Sequence, residues 1–330
     1  MKHQAGKAQY LEAFFAVSPR MVFPGVSADF DLWLRRDDDY VLYARGREGF
    51  TRQHLREMRA DGVAEVYIHQ GQREVYQHYV QHNLGDVLSR DNAPMELRAQ
   101  VLYDASVDII RDVFENRLPQ QPDDRHFERI LSLVSSCTDF LAKQDSLKSL
   151  ASMISHHYQT YSHSLNVMIF ALAVLDHYDL DRDRMIEIGL GALLHDVGKT
   201  GIPPEVLGKP GRLDPEQWKQ LKLHPTRGVA MCSRIPLSQL TIHCIMFHHE
   251  RMDGQGYPAG LTGDKIPFEV RAVSLADVYD ALTADRPYAN RVTPFQALRI
   301  MQDEMAGAFD EQLYKRLVLV LSGAGITTEG

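Results

Sequence analysis

Apolar positions change their spacing partway along the chain. Up to about residue 80, short alternating runs dominate. Asp29 to Arg35 (DFDLWLR) alternates polar and apolar residues as a strand does. Asp37-Asp38-Asp39 makes a turn and Tyr40 to Ala44 (YVLYA) a second strand, so a hairpin is expected. Thr51 is placed to N-cap TRQHLREMRADG, and Gly62 closes that helix. Glu65 to His69 reads as a third strand, followed by a helix through Arg73 to Gln81. From Pro94 the helical period takes over, with Leu102, Ala105, Ile109 and Val113 on one face of a helix ending near Asn116. Leu118 to Asp123 is a polar, proline-bearing break and the best linker. Phe127, Ile130, Val134, Cys137 and Leu141 form the next stripe, which suits an intramolecular core and could also meet a second copy of the chain. From Ser149 to Leu321 helix follows helix. Ser162–Tyr178 and Asp181–Leu194 are amphipathic, and Asp214-Pro215-Glu216-Gln217 combines an N-cap, a proline at the first helical position and a capping box. The expected fold class is α+β. It comprises a small N-terminal α/β module (1–83), a helical connector (84–148) and an all-helical domain (149–330).

Composition narrows the partners. The 330 residues suffice for two modest cores. The net charge of -8 argues against a polymeric nucleic acid, whereas a small anion needs only a local cluster of cations. Three scattered cysteines without a C-x-x-C pair suit a reducing cytoplasm and are not read as ligands. The first 17 residues hold no signal-peptide core, and no run approaches the roughly 18–20 apolar residues of a membrane span.

The histidines are the strongest chemical signal. Nine of the fifteen lie between His156 and His249. His163 opens an apolar helix, His195-Asp196 closes another, His224 ends WKQLKLH, and His248-His249 ends CIMFHH. Asp277 sits in AVSLADVYDALTA. One histidine on an apolar helix is usually a hydrogen-bonded core residue. Five, with two aspartates, make that reading weak, because each such group costs a few kcal/mol to bury unpaired. A His/Asp set suits divalent iron, manganese or zinc, and the lack of cysteine ligands argues against a structural zinc site. Seven ligands suit two metals sharing a bridging water or hydroxide.

These residues carry a family resemblance. His195-Asp196-Val-Gly-Lys199-Thr-Gly-Ile-Pro, Lys209-Pro-Gly, His224, and the block from His248-His249-Glu250 through Asp253 to Gly256-Tyr257-Pro258 resemble the HD-GYP signature. So do Leu275-Ala-Asp277-Val-Tyr-Asp280 and Asp285-Arg286-Pro-Tyr288. The likeness runs in order from about Ser149 to Asn290. It implies a helical HD-type metallohydrolase domain that opens cyclic di-GMP to linear pGpG, and onward to GMP in some cases, by attack of metal-bound hydroxide. By the same resemblance, His163, His195, Asp196, His224, His248, His249 and Asp277 are the metal ligands. Asp196 bridges the metals, Lys199 stabilises phosphate charge and assists the leaving oxygen, and Tyr257 and Arg286 contact the dinucleotide. Asp196 and Lys199 are the catalytic pair. The cofactors implied are two divalent ions, iron foremost and manganese second. The setting implied is cytoplasmic second-messenger signalling in bacteria, with diguanylate cyclase domains and a second copy of the chain as partners to consider.

Departures from the pattern temper this. Where some relatives hold a third metal with a glutamate, this chain has Gln159, so two metals are expected rather than three. His156 and His157 stand where an acidic residue is common, and Ala289 stands in place of a basic residue. Cyclic GMP-AMP is therefore an alternative substrate, and a non-catalytic dinucleotide receptor an alternative role. Residues 15–115, with Pro24-Gly25, DFDLWLR, YVLYARG, FTRQHL and GVAEVYI, resemble an uncharacterised domain that often precedes HD-GYP domains. That likeness implies no chemistry, and a regulatory role is the preferred expectation.

Overall fold

The computed structural model describes residues 13–23, 28–36, 39–46, 50–89, 95–115, 124–143, 146–151, 154, 160–209, 211–284, 292–324 and 326. Pro24-Gly25, the turn residues Asp37 and Asp38, and the break at 118–123 lie outside them. The chain divides into two compact units, Met1–Asp108 and Ile109–Gly330. The division falls inside the helix Met95–Glu115, within the stretch 84–148 read above as a connector. Among the described residues no helix is long and apolar enough to cross a membrane.

The first unit holds a four-stranded antiparallel sheet: β1 (Phe14–Val17), β2 (Leu32–Arg36), β3 (Asp39–Ala44) and β4 (Val66–His69), in the order β1-β4-β2-β3. The expected hairpin is β2–β3, with a bulge between Leu32 and Trp33. Strand β1 is not foreseen from the sequence, because FFAV is four residues long and does not alternate. Its pairing with β4, Phe14 opposite His69 and Val17 opposite Val66, supplies the ladder that local pattern lacks. Helix α1 (Arg52–Ala60) begins where Thr51 Oγ1 accepts from the His54 amide at 3.3 Å, and it closes at Gly62 with φ of 67°. Helix α2 (Arg73–Ser89) runs further than the sequence suggests and sends Tyr76, Tyr79 and Val80 into the core with Phe30, Val66 and Ile68. Helix α3 (Met95–Glu115) follows.

Among the described residues the regular elements of the second unit are all helices, with one isolated β-bridge between Asp253 and Thr262, so the expected α+β class holds. Its helices are α4 (Asp124–Leu141), α5 (Ser146–Ala151), α6 (Thr160–Leu175), α7 (Arg182–Leu194), α8 (Pro204–Leu207), α9 (Pro215–Leu221), α10 (His224–Met231), α11 (Gln239–Phe247), α12 (Phe268–Thr283), α13 (Pro294–Asp303) and α14 (Glu311–Gly323). Helix α6 is its centre. Leu165 to Val174 are buried on every side because α7 and α12 both pack against it, with α4 and α14 adding to the cover. Each large apolar side chain so buried contributes roughly 1.5–3 kcal/mol. Helix α6 ends at Leu175 rather than Tyr178: a 3-10 turn follows, and Asp179 turns left-handed at φ of 50°. Helix α7 is capped by Asp181, which accepts from the Arg184 amide at 2.8 Å. The capping box at Asp214–Gln217 forms as read, with Pro215 at the first position. The α4 stripe is intramolecular: Ile130, Val134, Cys137 and Leu141 are buried, and α4 packs on α6 and α7.

Candidate metal centre

The seven predicted donors come from five helix ends and faces. His163 lies in the first turn of α6. His195 and Asp196 follow α7 directly, His224 begins α10, and His248-His249 follow α11. Asp277 lies on α12, packed against α6. His163, His195, Asp196, His224 and His248 are buried to 2% exposure or less.

A repeated local device orients three of the rings. Nδ1 of His195 meets the Ala192 carbonyl at 2.6 Å, that of His224 the Leu221 carbonyl at 2.8 Å, and that of His248 the Ile245 carbonyl at 2.9 Å. Carbonyls in a helix's last turn lack intrahelical donors. A histidine three residues on satisfies one of them through Nδ1–H. A carbonyl only accepts, so the proton sits on Nδ1 and the Nε2 lone pair faces inward. His163 is held differently: its Nδ1 lies 2.7 Å from Asp280 Oδ2, and Asn166 Nδ2 donates to Asp280 Oδ1 at 2.9 Å.

The inward atoms form two groups, His163–His195–Asp277 and Asp196–His224–His248–His249, with the donor atoms of each group within 4.8 Å of one another. The carboxylates link them. Asp196 Oδ1 faces His224 Nε2 at 3.3 Å and His248 Nε2 at 3.9 Å. Its Oδ2 faces His195 Nε2 at 3.3 Å and His163 Nε2 at 3.6 Å. Asp277 likewise points Oδ1 at His163 Nε2 (3.1 Å) and Oδ2 at His249 Nδ1 (3.4 Å).

These atoms fit a cation better than they fit one another. His195 Nε2 and Asp196 Oδ1 are buried without a hydrogen-bond partner. The Nε2 atoms of His224 and His248 lie 3.1 Å apart although both Nδ1 atoms carry the protons. Two lone pairs at that distance repel, and a positive ion between them removes the conflict. Protonation states agree. Burial lowers His224 to about 4 and His249 to about 3, and holds His248 well below its ordinary value, so these rings are neutral near pH 7. Burial pushes the Asp196 carboxyl up, but the Lys199 ammonium together with His195 and His224 outweighs it and holds the group well below the usual carboxylate range. Burial likewise acts upward on Asp277, and the neighbouring His163, His249 and His195 together outweigh it, with His163 foremost.

Lys199 lies on the 3-10 turn Val197–Gly201, with Nζ 2.5 Å from Asp196 Oδ2. Gly198 lets that turn touch α10: a Cβ there would sit 2.0 Å from the His224 carbonyl oxygen. Tyr257 lies over His249, ring centroids 4.6 Å apart, and burial raises its phenol above the ordinary value. Gly256 is needed for that approach, since a Cβ would meet the backbone of Glu250 and Arg251 at 2.5 Å. Arg286, Gln159, His156, His157 and Ala289 lie outside the described residues.

Three supporting residues carried no role in the sequence reading. Asp280 holds His163 from 117 residues away, and Asn166, one turn further along α6, donates to the other oxygen of that carboxylate. Glu250, 3% exposed, accepts from the amides of Ala259 (2.6 Å), Gly260 (3.1 Å) and Leu261 (2.8 Å), tying down the Gly-Tyr-Pro loop. The signal for Asp280 was its spacing of three from Asp277, which places both on one face of α12. Glu250 had no such signal.

Comparison with known proteins gives a consistent result. A family model described as HD domain matches residues 145–313. A protein of Pseudomonas aeruginosa named cyclic di-GMP phosphodiesterase is 34% identical over 217 residues, covering 65% of this chain and 50% of that protein. A Vibrio cholerae protein named 3'3'-cGAMP-specific phosphodiesterase 3 is 31% identical over 163 residues, 49% of this chain and 35% of that one. The chain thus spans half the length of the first relative or less. A solved structure described as an HDG"Y"P protein from Bdellovibrio bacteriovorus shares the fold, with a TM-score of 0.70, 20% identity, and 94% and 100% of the two chains covered. This chain belongs to the HD domain family, and its motifs resemble the HD-GYP signature.

Proposed function

We propose that the helical unit is a metal-dependent phosphodiesterase that hydrolyses cyclic di-GMP to linear pGpG. The observation that carries the reading is the division of Asp196: one carboxylate oxygen serves each donor group, and Oδ1 is buried without a donor. In this reading His163, His195 and Asp277 hold one divalent ion, and His224, His248 and His249 hold another, with Asp196 shared. When bound, such a pair lowers the pKa of water and neutralises phosphate charge. Iron is the preferred identity and manganese the alternative, since imidazole with carboxylate suits both.

The chain's own groups do the rest. The Nδ1–H caps hold three imidazoles in the ligating tautomer, and the Asp280 carboxylate steadies a fourth. Lys199, its side chain 20% exposed, sits beside Asp196 where an ammonium can meet a phosphate oxygen entering from solvent and favour departure of the leaving oxygen. Tyr257, fixed over His249 by the Glu250-anchored loop, contacts the dinucleotide. Arg286 is a second contact in the same proposal. The names of the Pseudomonas and Vibrio relatives support cyclic di-GMP and 3'3'-cGAMP as the substrate classes. Ala289, in place of a basic residue, favours keeping the hybrid dinucleotide as the second reading. Diguanylate cyclase domains and a second copy of the chain are candidate partners.

The test is to incubate anaerobically prepared, iron- or manganese-loaded protein with cyclic di-GMP and 3'3'-cGAMP and to chromatograph the products. Linear pGpG is the expected product. Binding of both without cleavage of either would leave a receptor and end the enzyme reading. Normal cleavage by Asp196→Ala would refute the assigned site.

A further inference from the structure

Seven large apolar side chains are exposed among the described residues, and Leu207, Trp218 and Leu223 lie in the stretch joining the His195-Asp196 pair to His224. Trp218, 46% exposed, sits at the middle of α9. Its ring lies 6.3 Å from Tyr257, edge to face at 74°. Tyr257 in turn lies 4.6 Å from the His249 ring and 6.4 Å from the His224 ring. A series of rings therefore leads from the donor histidines outward to an indole that is half open to solvent. If Trp218 served only to pack the Tyr257 loop, most of its surface would be covered.

Charge around it points the same way. Residues 199–227 contain six cations (Lys199, Lys209, Arg212, Lys219, Lys222, Arg227) against three acids (Glu205, Asp214, Glu216), in a chain of net charge -8. Lys209 is engaged by Gln217 and Asp214, and Arg227 by the Gly201 carbonyl. Arg212 and Lys219 are exposed, and among the described residues neither makes an ion pair. Lys222 is one helical turn beyond Trp218, on the same face. An exposed indole among cations offers a flat π-surface to a base and positive charge to a phosphate.

We propose that Trp218 stacks on a purine base of the cyclic dinucleotide, while the neighbouring cations draw in the phosphate that is not under attack. The identity of the ligand rests on the phosphodiesterase reading. Stacking one base on an aromatic side chain changes affinity by roughly fivefold to 150-fold on alanine substitution.

The chain has two tryptophans, Trp33 and Trp218, so Trp33→Phe leaves Trp218 as the sole indole reporter. The metal-loaded full chain carrying Trp33→Phe is titrated with a slowly hydrolysed phosphorothioate of cyclic di-GMP. Steady-state rates are measured separately for Trp218→Ala and Trp218→Phe. The expected results are quenching of Trp218 emission on binding, a KM about tenfold higher for Trp218→Ala with kcat changed less than threefold, and recovery of most of that loss in Trp218→Phe. Unchanged emission on binding, or a Trp218→Ala KM within twofold of the parent, overturns the proposal. Quenching without cleavage by the parent sustains the stacking site and removes the phosphodiesterase reading. Cleavage with silent Trp218 emission does the reverse.

Discussion

Asp280→Asn is a nearly isosteric change with a defined consequence. Both oxygens of Asp280 accept hydrogen bonds inside the protein, one from His163 Nδ1 at 2.7 Å and one from Asn166 Nδ2 at 2.9 Å. Asparagine has one acceptor oxygen and a two-proton donor. Whichever way the amide turns, an N–H faces either the Asn166 amide or the imidazole. Facing Asn166, two donors collide in a buried site, which costs about 1–3 kcal/mol. Facing the imidazole, the amide donates to Nδ1 and moves the ring proton to Nε2, the atom 3.1 Å from Asp277 and the one that a metal would need. Loss of a group that orients a metal-bound histidine typically weakens metal affinity 10- to 100-fold. That is about 1.4–2.7 kcal/mol, within the range of the donor collision. The effect is local, because among the described residues no hydrogen bond or ion pair joins Asp280 to His224, His248 or His249. Titration of demetallated protein with Mn(II), followed by calorimetry, should show two sites in the parent. In Asp280→Asn one site should keep its affinity and the other should weaken 10- to 100-fold. Two unchanged sites would refute the tautomer argument, and two equally weakened sites would show that Asp280 supports the fold rather than one donor group.

Two further outcomes follow from the same geometry. Glu250→Ala removes the acceptor for three loop amides; two of these residues are exposed enough to take water, so the expected loss is about 2–3 kcal/mol rather than the full sum, read as a lower urea midpoint together with a raised KM. A midpoint unchanged within error would mean the loop holds itself. The demetallated protein should also lose stability as pH falls. His224 titrates at about 4 and His249 at about 3 when folded, against about 6.5 unfolded, so the unfolded chain binds protons first and stability declines from about pH 6.5 toward 4. Asp196 and Asp277 are held low, so their contribution is retained through that window and lost only below the unfolded carboxylate value of about 3.9. Urea midpoints at pH 7 and pH 5 check this, and equal values would contradict neutral, buried rings.

What the sequence determined by itself is what depends on near neighbours. The caps at Thr51, Asp181 and Asp214 form because an N-cap needs only residues two or three positions away. The β2–β3 hairpin forms because its partners adjoin. The histidines at the ends of α7, α9 and α11 are legible for the same reason: each Nδ1 answers a carbonyl three residues back. The histidines and aspartates were therefore readable as a candidate donor set before any geometry. Tertiary structure decided the rest. Strand β1 exists because β4, some fifty residues on, completes its ladder. His163 is steadied by Asp280 across 117 residues, and Glu250 fixes a loop by meeting amides that no periodicity announces. The division of Asp196 between two donor groups depends on how α6, α7, α10, α11 and α12 converge. Local pattern specifies which groups are present and how three of the rings are protonated. Only the packing of distant helices specifies which oxygen faces which ring, because that contact energy exists only once the helices have met.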